Sequence, residues 1–343
     1  MGAWDTARDW YLHLLGRRGS AEFIRSRWGH GRTKPYQRSR LTLHPPGIGI
    51  GDNLMCTPIL REIKRRNPAC ELTFLTRYPE LFEGSPFVDH LVTDFASLRS
   101  RALRLHYDHL TPRLGHFAVA HRATLALQAD GRDRYRGYAH PTPPDRPLIT
   151  ILAECVGMEF GSTQLDCAVP VVSDEFRERV AAIPGPFVVV QPQASTWTPN
   201  KNWAPEGWAE VVRGLLPDAA VVEVGTESVL AGLVEDPRFV TMAGRTSVSE
   251  FLHLIREAAV YVGPDSGGMH VANAFHVPSV VLFGGYSSPE SFGYPRTIAL
   301  TGATDCAPCW LSTPCPFDRR CLTLITPAAV LHAVQTTLAS RVP

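Results

Sequence analysis

Gly263-Pro264-Asp265-Ser266-Gly267-Gly268-Met269-His270-Val271-Ala272-Asn273-Ala274 follows an apolar run from Ala258 to Val262. The run reads as a strand, Asp-Ser-Gly-Gly as a small turn, and the residues after it as an opening helix. A helix N-terminus presents unpaired backbone N–H groups and a partial positive charge. Glycines let a ligand's phosphates come close to that backbone. Asp265 and Ser266 also stand where helix caps stand, so a capped helix start is the plain alternative.

A second glycine-rich turn lies far upstream, Pro45-Pro46-Gly47-Ile48-Gly49-Ile50-Gly51-Asp52-Asn53. It follows the strand-like Arg40 to His44 and precedes Leu54 to Arg66, whose apolar residues recur at helical spacing. The next strand is Leu72 to Leu75, which completes a β–loop–α–β unit. The pattern is not G-x-G-x-x-G, because the third glycine comes one residue early and an acid follows it, so a dehydrogenase-type dinucleotide site is weakly supported. Asp52 is either a helix N-cap or a carboxylate held at the mouth of a cleft.

A chain of 343 residues is expected to form about two domains. Its 44% hydrophobic and 20% charged residues are ordinary for a globular enzyme, and a net charge of +1 gives no reason to expect nucleic acid. No apolar run is long enough to span a membrane and no signal-peptide core opens the chain, so a cytoplasmic protein is expected.

Residues 1–39 read as a basic amphipathic extension, with Arg8, Arg17, Arg25 and Arg27 among Trp4, Trp10, Leu14, Phe23 and Trp28. Such a segment can lie on an anionic membrane surface, or pack its apolar face on the enzyme or on another subunit. Residues 40–170 are expected to form one α/β domain, with the Pro-rich 141–147 as a loop. Residues 171–343 form a second, with helices over 206–215 and 248–259, a strand over 220–224, and a last helix from Pro327 to Ser340 expected to cross back to the first domain. Alternating strands and helices imply parallel sheets covered on both faces. Ligands then bind beyond the carboxyl ends of the strands. Ser195, Thr196 and Lys201 can offer hydroxyls and a point charge to phosphate, Ser266, Gly267 and Gly268 backbone N–H groups, and His270 a further donor. Lys201 as a solvated surface residue and His270 as a partly buried helical histidine are the plain alternatives.

Gly51-Asp52 with Thr57-Pro58, the Asp265 to Ala274 motif with Pro278 to Gly284, and the strand Val188 to Thr196 with Lys201-Asn202-Trp203 together resemble glycosyltransferase family 9, the ADP-heptose:lipopolysaccharide heptosyltransferases. The resemblance spans residues 40 to 335 and implies the GT-B architecture, two Rossmann-like domains facing across a cleft. It implies an ADP-heptose donor held by Lys201, Asp265, Ser266, Gly267, Gly268 and His270, with Glu227 on the ribose. Ser195 and Thr196 are carried over with one departure, since the segment from Thr196 to Lys201 is one residue longer than the family's. An inverting reaction needs a general base, and Asp52 matches the family's. No D-x-D pair is placed to hold a catalytic metal. The acceptor is then a protein serine, a lipopolysaccharide core sugar or a small natural product. A nucleotide-sugar-binding or assembly protein without activity is the alternative from another class. Trp203 and Trp208 read as packing rather than base-stacking residues.

Of eight cysteines, Cys56, Cys70, Cys155 and Cys167 are scattered and read as small core residues. Cys306, Cys309, Cys315 and Cys321 cluster among prolines. Four thiolates in a short excursion suit a structural, tetrahedral Zn or Fe ion, against the alternative of reduced free thiols. Many family members carry cysteines here, and the bacterial autotransporter heptosyltransferase branch is similar in having an iron-binding finger. An oligomer is left open.

Overall fold

The computed structural model describes residues 33–47, 49–94, 103–104, 147–154, 156–159, 162–194, 198–309 and 314–340. The basic extension through residue 32, most of the Pro-rich 141–147 segment, Cys155, and Ser195 and Thr196 lie outside the described residues. The chain forms two compact units, residues 1–165 with 290–293, and residues 166–289 with 294–343.

The first unit runs β1 (Arg40–His44), α1 (Ile50–Leu54), α2 (Thr57–Arg66), β2 (Glu71–Leu75), β3 (His90–Val92), β4 (Leu103–Arg104) and α3 (Leu148–Glu154). Its described strands pair in parallel in the order β3-β2-β1-β4. The single helix expected from Leu54 onward is two. A short helix starts four residues earlier, inside the glycine-rich segment, and ends before Pro58 opens α2. Proline fits the first turn, where its missing N–H has no helical partner in any case. Ile59, Leu60 and Ile63 of α2 are buried, while Lys64, Arg65 and Arg66 occupy its last turn, where the helix dipole favours cations.

The second unit runs α4 (Asp174–Ala181), β5 (Phe187–Val190), α5 (Pro205–Leu215), β6 (Ala220–Glu223), β7 (Phe239–Thr241), α6 (Val248–Glu257), β8 (Val260–Pro264), α7 (Gly267–Ala274), β9 (Ser279–Leu282), β10 (Thr297–Leu300), α8 (Arg320–Thr323) and α9 (Pro327–Ala339). Strands β5, β6, β8 and β9 are buried along their whole length, as a parallel sheet covered on both faces requires. Ser247 and Glu250 close a reciprocal capping box on α6. Trp203 and Trp208 meet edge to face at 5.3 Å and lie in the buried cluster with Val190, Val212 and Val262, so they pack as expected.

The last helix does not cross back. Val330 and Val334 of α9 are buried in the same cluster of the second unit, and α9 lies so close to α5 that a Cβ on Gly214 would stand 2.6 Å from Leu331 Cδ2. Its apolar face finds its partner next door, which leaves it no cause to travel.

Strand order in this sheet is β10-β9-β8-β5-β6-β7, all parallel. From β5 the chain moves outward through β6 and β7, then returns to the other side of β5 as β8. The connections leaving β5 and β8 therefore diverge. That topological switch point opens a crevice at the carboxyl ends of these two strands.

Candidate functional site

The segment after β5 carries Lys201, on a 3₁₀ turn spanning Pro199–Lys201, and the segment after β8 carries Asp265. The switch point brings them together. Lys201 Nζ lies 2.9 Å from Asp265 Oδ2 and 4.4 Å above the Tyr286 ring. Asp265 is buried and also accepts the Ser287 hydroxyl. Burial pushes its carboxyl up, but the Lys201 charge and the Ser287 bond outweigh that and hold it below the ordinary carboxylate value. Lys201 is thus no solvated surface lysine: Asp265 and Tyr286 fix where its ammonium stands.

His270 sits one turn into α7 and is buried, with Nδ1 2.6 Å from the Tyr294 hydroxyl. Burial, opposed by Asp265 and aided by Lys201, lowers its pKa to about 4, so it is neutral at pH 7. A neutral Nδ1 that accepts from Tyr294 leaves the proton on Nε2. Burial raises the Tyr294 phenol, which therefore stays protonated.

Ser266 occupies the N-cap position of α7, but its hydroxyl caps no backbone N–H. It stands 3.3 Å from the Tyr261 hydroxyl, which donates to Gln191 Oε1 at 2.9 Å. The glycines have a reason the sequence did not show. A Cβ on Gly268 would lie 2.4 Å from Gln191 Oε1, and one on Gly263 would lie 2.4 Å from the Tyr261 hydroxyl. These positions are small because Tyr261 and Gln191 fill the space beneath the turn. Tyr261, Gln191, Tyr286, Ser287 and Tyr294 were missed by sequence reasoning. A tyrosine inside the apolar run Val260-Tyr261-Val262, two residues before Gly263, was the one local signal.

Asp52 lies elsewhere, on α1 of the first unit. It is a third-position residue of that helix rather than its N-cap, and its Oδ2 accepts the Gly49 N–H at 3.2 Å. A Cβ on Gly47 would stand 2.3 Å from Oδ2, so that glycine makes room for the carboxylate. Glu227 is exposed beyond β6. The buried acid there is Glu223, which accepts Ser228 Oγ and the N–H groups of Val229 and Leu230. A strand-end acid organises the loop, and the loop acid faces solvent.

Cys306 and Cys321 are buried, and Cys309 and Cys315 are partly so. Burial raises the Cys321 thiol, Cys306 and Cys315 raise it further, and the N–H groups of Gly285 and Leu322 oppose them. Three of the four sulfurs therefore share a neighbourhood. Even so, among the described residues no group of three or more His, Cys, Asp or Glu is arranged to hold a metal ion. No helix among the described residues is long and apolar enough to cross a membrane.

Residues 146–313 match the model of glycosyltransferase family 9 (heptosyltransferase). No curated protein sequence matches the chain. Among solved structures, E. coli ADP-heptose lipopolysaccharide heptosyltransferase II is similar at 18% identity and TM-score 0.59, over 88% of this chain and 99% of that one. The iron-containing dodecameric glycosyltransferase TibC from enterotoxigenic E. coli is similar at 20% identity and TM-score 0.59, over 90% of this chain and 77% of that one. TibC in complex with ADP-D-β-D-heptose gives 18% identity and TM-score 0.60, over 90% and 78%. The α/β fold with parallel sheets is that of these GT-B enzymes.

Proposed function

We infer, from the match of residues 146–313 to the model of glycosyltransferase family 9, that this glycosyltransferase moves a heptose from ADP-heptose to an acceptor hydroxyl with inversion. The observation that carries the reading is the Lys201–Asp265 pair, set at the switch point where α7 begins. A diphosphate needs positive charge and N–H donors. An ammonium has three hydrogens, of which Asp265 takes one, and the first turn of α7 adds backbone N–H groups and the positive end of a dipole. Leaving-group charge is then met by Lys201 and α7 rather than by a divalent ion.

In the proposed reaction the acceptor oxygen attacks the anomeric carbon as its bond to the ADP phosphate oxygen breaks. Asp52 takes the hydroxyl proton and ADP departs with the bond's electron pair. Glu227 is the proposed ribose acid, and Ser195 and Thr196 the proposed phosphate hydroxyls. His270, neutral at working pH, donates without adding charge. The acceptor class proposed is a protein serine or a lipopolysaccharide core sugar, with the reaction in the cytoplasm.

TibC is described as iron-containing and dodecameric. A structural Zn or Fe ion on Cys306, Cys309, Cys315 and Cys321, and an oligomer, belong to the proposal on that likeness and on the shared neighbourhood of three sulfurs. Elemental analysis and light scattering test both.

The test of the function is incubation of purified protein with ADP-heptose and each acceptor class, read by product mass. Transfer to either acceptor supports the reading. ADP binding without transfer or donor hydrolysis would instead make the chain a nucleotide-sugar-binding protein.

A further inference from the structure

We propose that Arg319 is a positioning residue for Lys201, through which the 306–321 excursion sets the grip on the diphosphate of the donor. The inference rests on the donor-site reading above. Asp318 (φ 48°) and Arg319 (φ 54°) are consecutive left-handed residues, and neither is glycine. A Cβ disfavours that conformation, so two in a row mark a turn that the surroundings impose.

The turn aims the Arg319 guanidinium at the Lys201 backbone. Nη1 lies 2.8 Å from Asn202 O and 3.3 Å from Pro199 O, the carbonyls on either side of Lys201. Asn200, between them, is buried, and its Oδ1 accepts the Cys315 N–H at 3.0 Å. Asn202 Oδ1 in turn accepts the Ala194 N–H at 2.9 Å. Both neighbours of Lys201 are therefore anchored, one to the excursion and one to the end of β5.

The excursion also grips the other side of the site. Cys309 N–H donates to Gly285 O at 2.8 Å, next to Tyr286 and Ser287, which hold Lys201 and Asp265. A lysine stem has four rotatable carbons. Its ammonium stands where the donor phosphate needs it only if its backbone is fixed. Arg319 touches neither Asp265 nor Tyr286 among its described bonds, so its effect passes through the turn. A guanidinium presents several N–H groups in a rigid fork and can serve two carbonyls, whereas lysine brings one point charge.

The experiment is calorimetric binding of ADP and of adenosine to the full chain and to its Arg319→Ala and Arg319→Lys variants. Arg319 is exposed, so truncation leaves no cavity. The expected result is ADP affinity roughly tenfold weaker in Arg319→Ala, adenosine affinity unchanged, and Arg319→Lys between the two. Should Arg319→Ala fail to fold, Arg319→Lys is read by the same ADP-to-adenosine ratio. Unchanged ADP affinity overturns the positioning role and leaves the donor site standing. A parallel loss for ADP and adenosine also overturns it, since a general brace would do that. A wild-type chain that binds neither overturns the donor reading and this inference with it.

Discussion

Asp52 and Asp265 each stand in a glycine-bearing segment after a parallel strand, yet Asp52 accepts an N–H three residues away while Asp265 pairs with side chains from two distant segments. Gly47 makes room for the carboxylate of Asp52, a near neighbour in sequence, whereas Gly268 makes room for a tyrosine and a glutamine of the sheet below. The first contact joins residues close in sequence, and the second joins the turn to the sheet below it. A side chain that can be altered at little cost to the fold suits the proposed base. A side chain held by tertiary contacts is part of the core, which suits one that must present a fixed charge.

The largest effect expected from this difference is on stability. Asp265→Ala leaves the Lys201 ammonium, only 17% exposed, without its counter-charge. It should lower unfolding free energy by about 3 kcal/mol, against about 1 kcal/mol or less for Asp52→Ala. Denaturant melts of both variants check this, and equal losses would erase the contrast.

The pH dependence comes next. Above about pH 6.5 His270 is neutral whether the chain is folded or not. Below it the unfolded chain takes up a proton that the folded chain refuses until about pH 4. Stability should therefore fall as pH drops through that window, by about 3 kcal/mol when complete. Burial lowers the His253 pKa too, and it acts in the same direction. The lowered carboxyl of Asp265 adds its loss at lower pH, below the ordinary carboxylate range. In His270→Asn the slope between pH 6.5 and pH 4 should be shallower but not flat. An unchanged slope would mean that His270 is not buried neutral.

Smaller and more discriminating are the two glycines. Gly268→Ala meets Gln191 and Tyr261 deep in the sheet and should cost about 1–3 kcal/mol, with ADP binding impaired. Gly47→Ala meets the Asp52 carboxylate first, so it should cost about 1 kcal/mol or less while displacing the proposed base. Transfer should then fall with ADP affinity intact. Full turnover in Gly47→Ala would remove the reason for placing Asp52 in the reaction.

These pairs also show what the sequence could and could not convey. Lys201, Asp265 and His270 were legible because strand-to-helix turns expose their chemistry locally. Tyr286, Ser287 and Tyr294 reach the same point from the segment after β9, and no periodicity links them to it. Glu223 and Glu227 stand four positions apart, one at the end of a strand and one beyond it, and burial, which spacing does not encode, decides which is structural. Parallel sheets were legible from alternation. The order β8-β5-β6, which creates the switch point, was not, because alternation says nothing about which side of the sheet each strand joins. The end of α9 on its own unit was hidden for the same reason.

The most direct measurement is ADP affinity set beside transfer rate in Lys201→Ala and Asp52→Asn. The account predicts that Lys201→Ala loses most ADP affinity, and that Asp52→Asn binds ADP as the wild type does yet transfers no heptose. ADP bound normally by Lys201→Ala and lost in Asp52→Asn would contradict it.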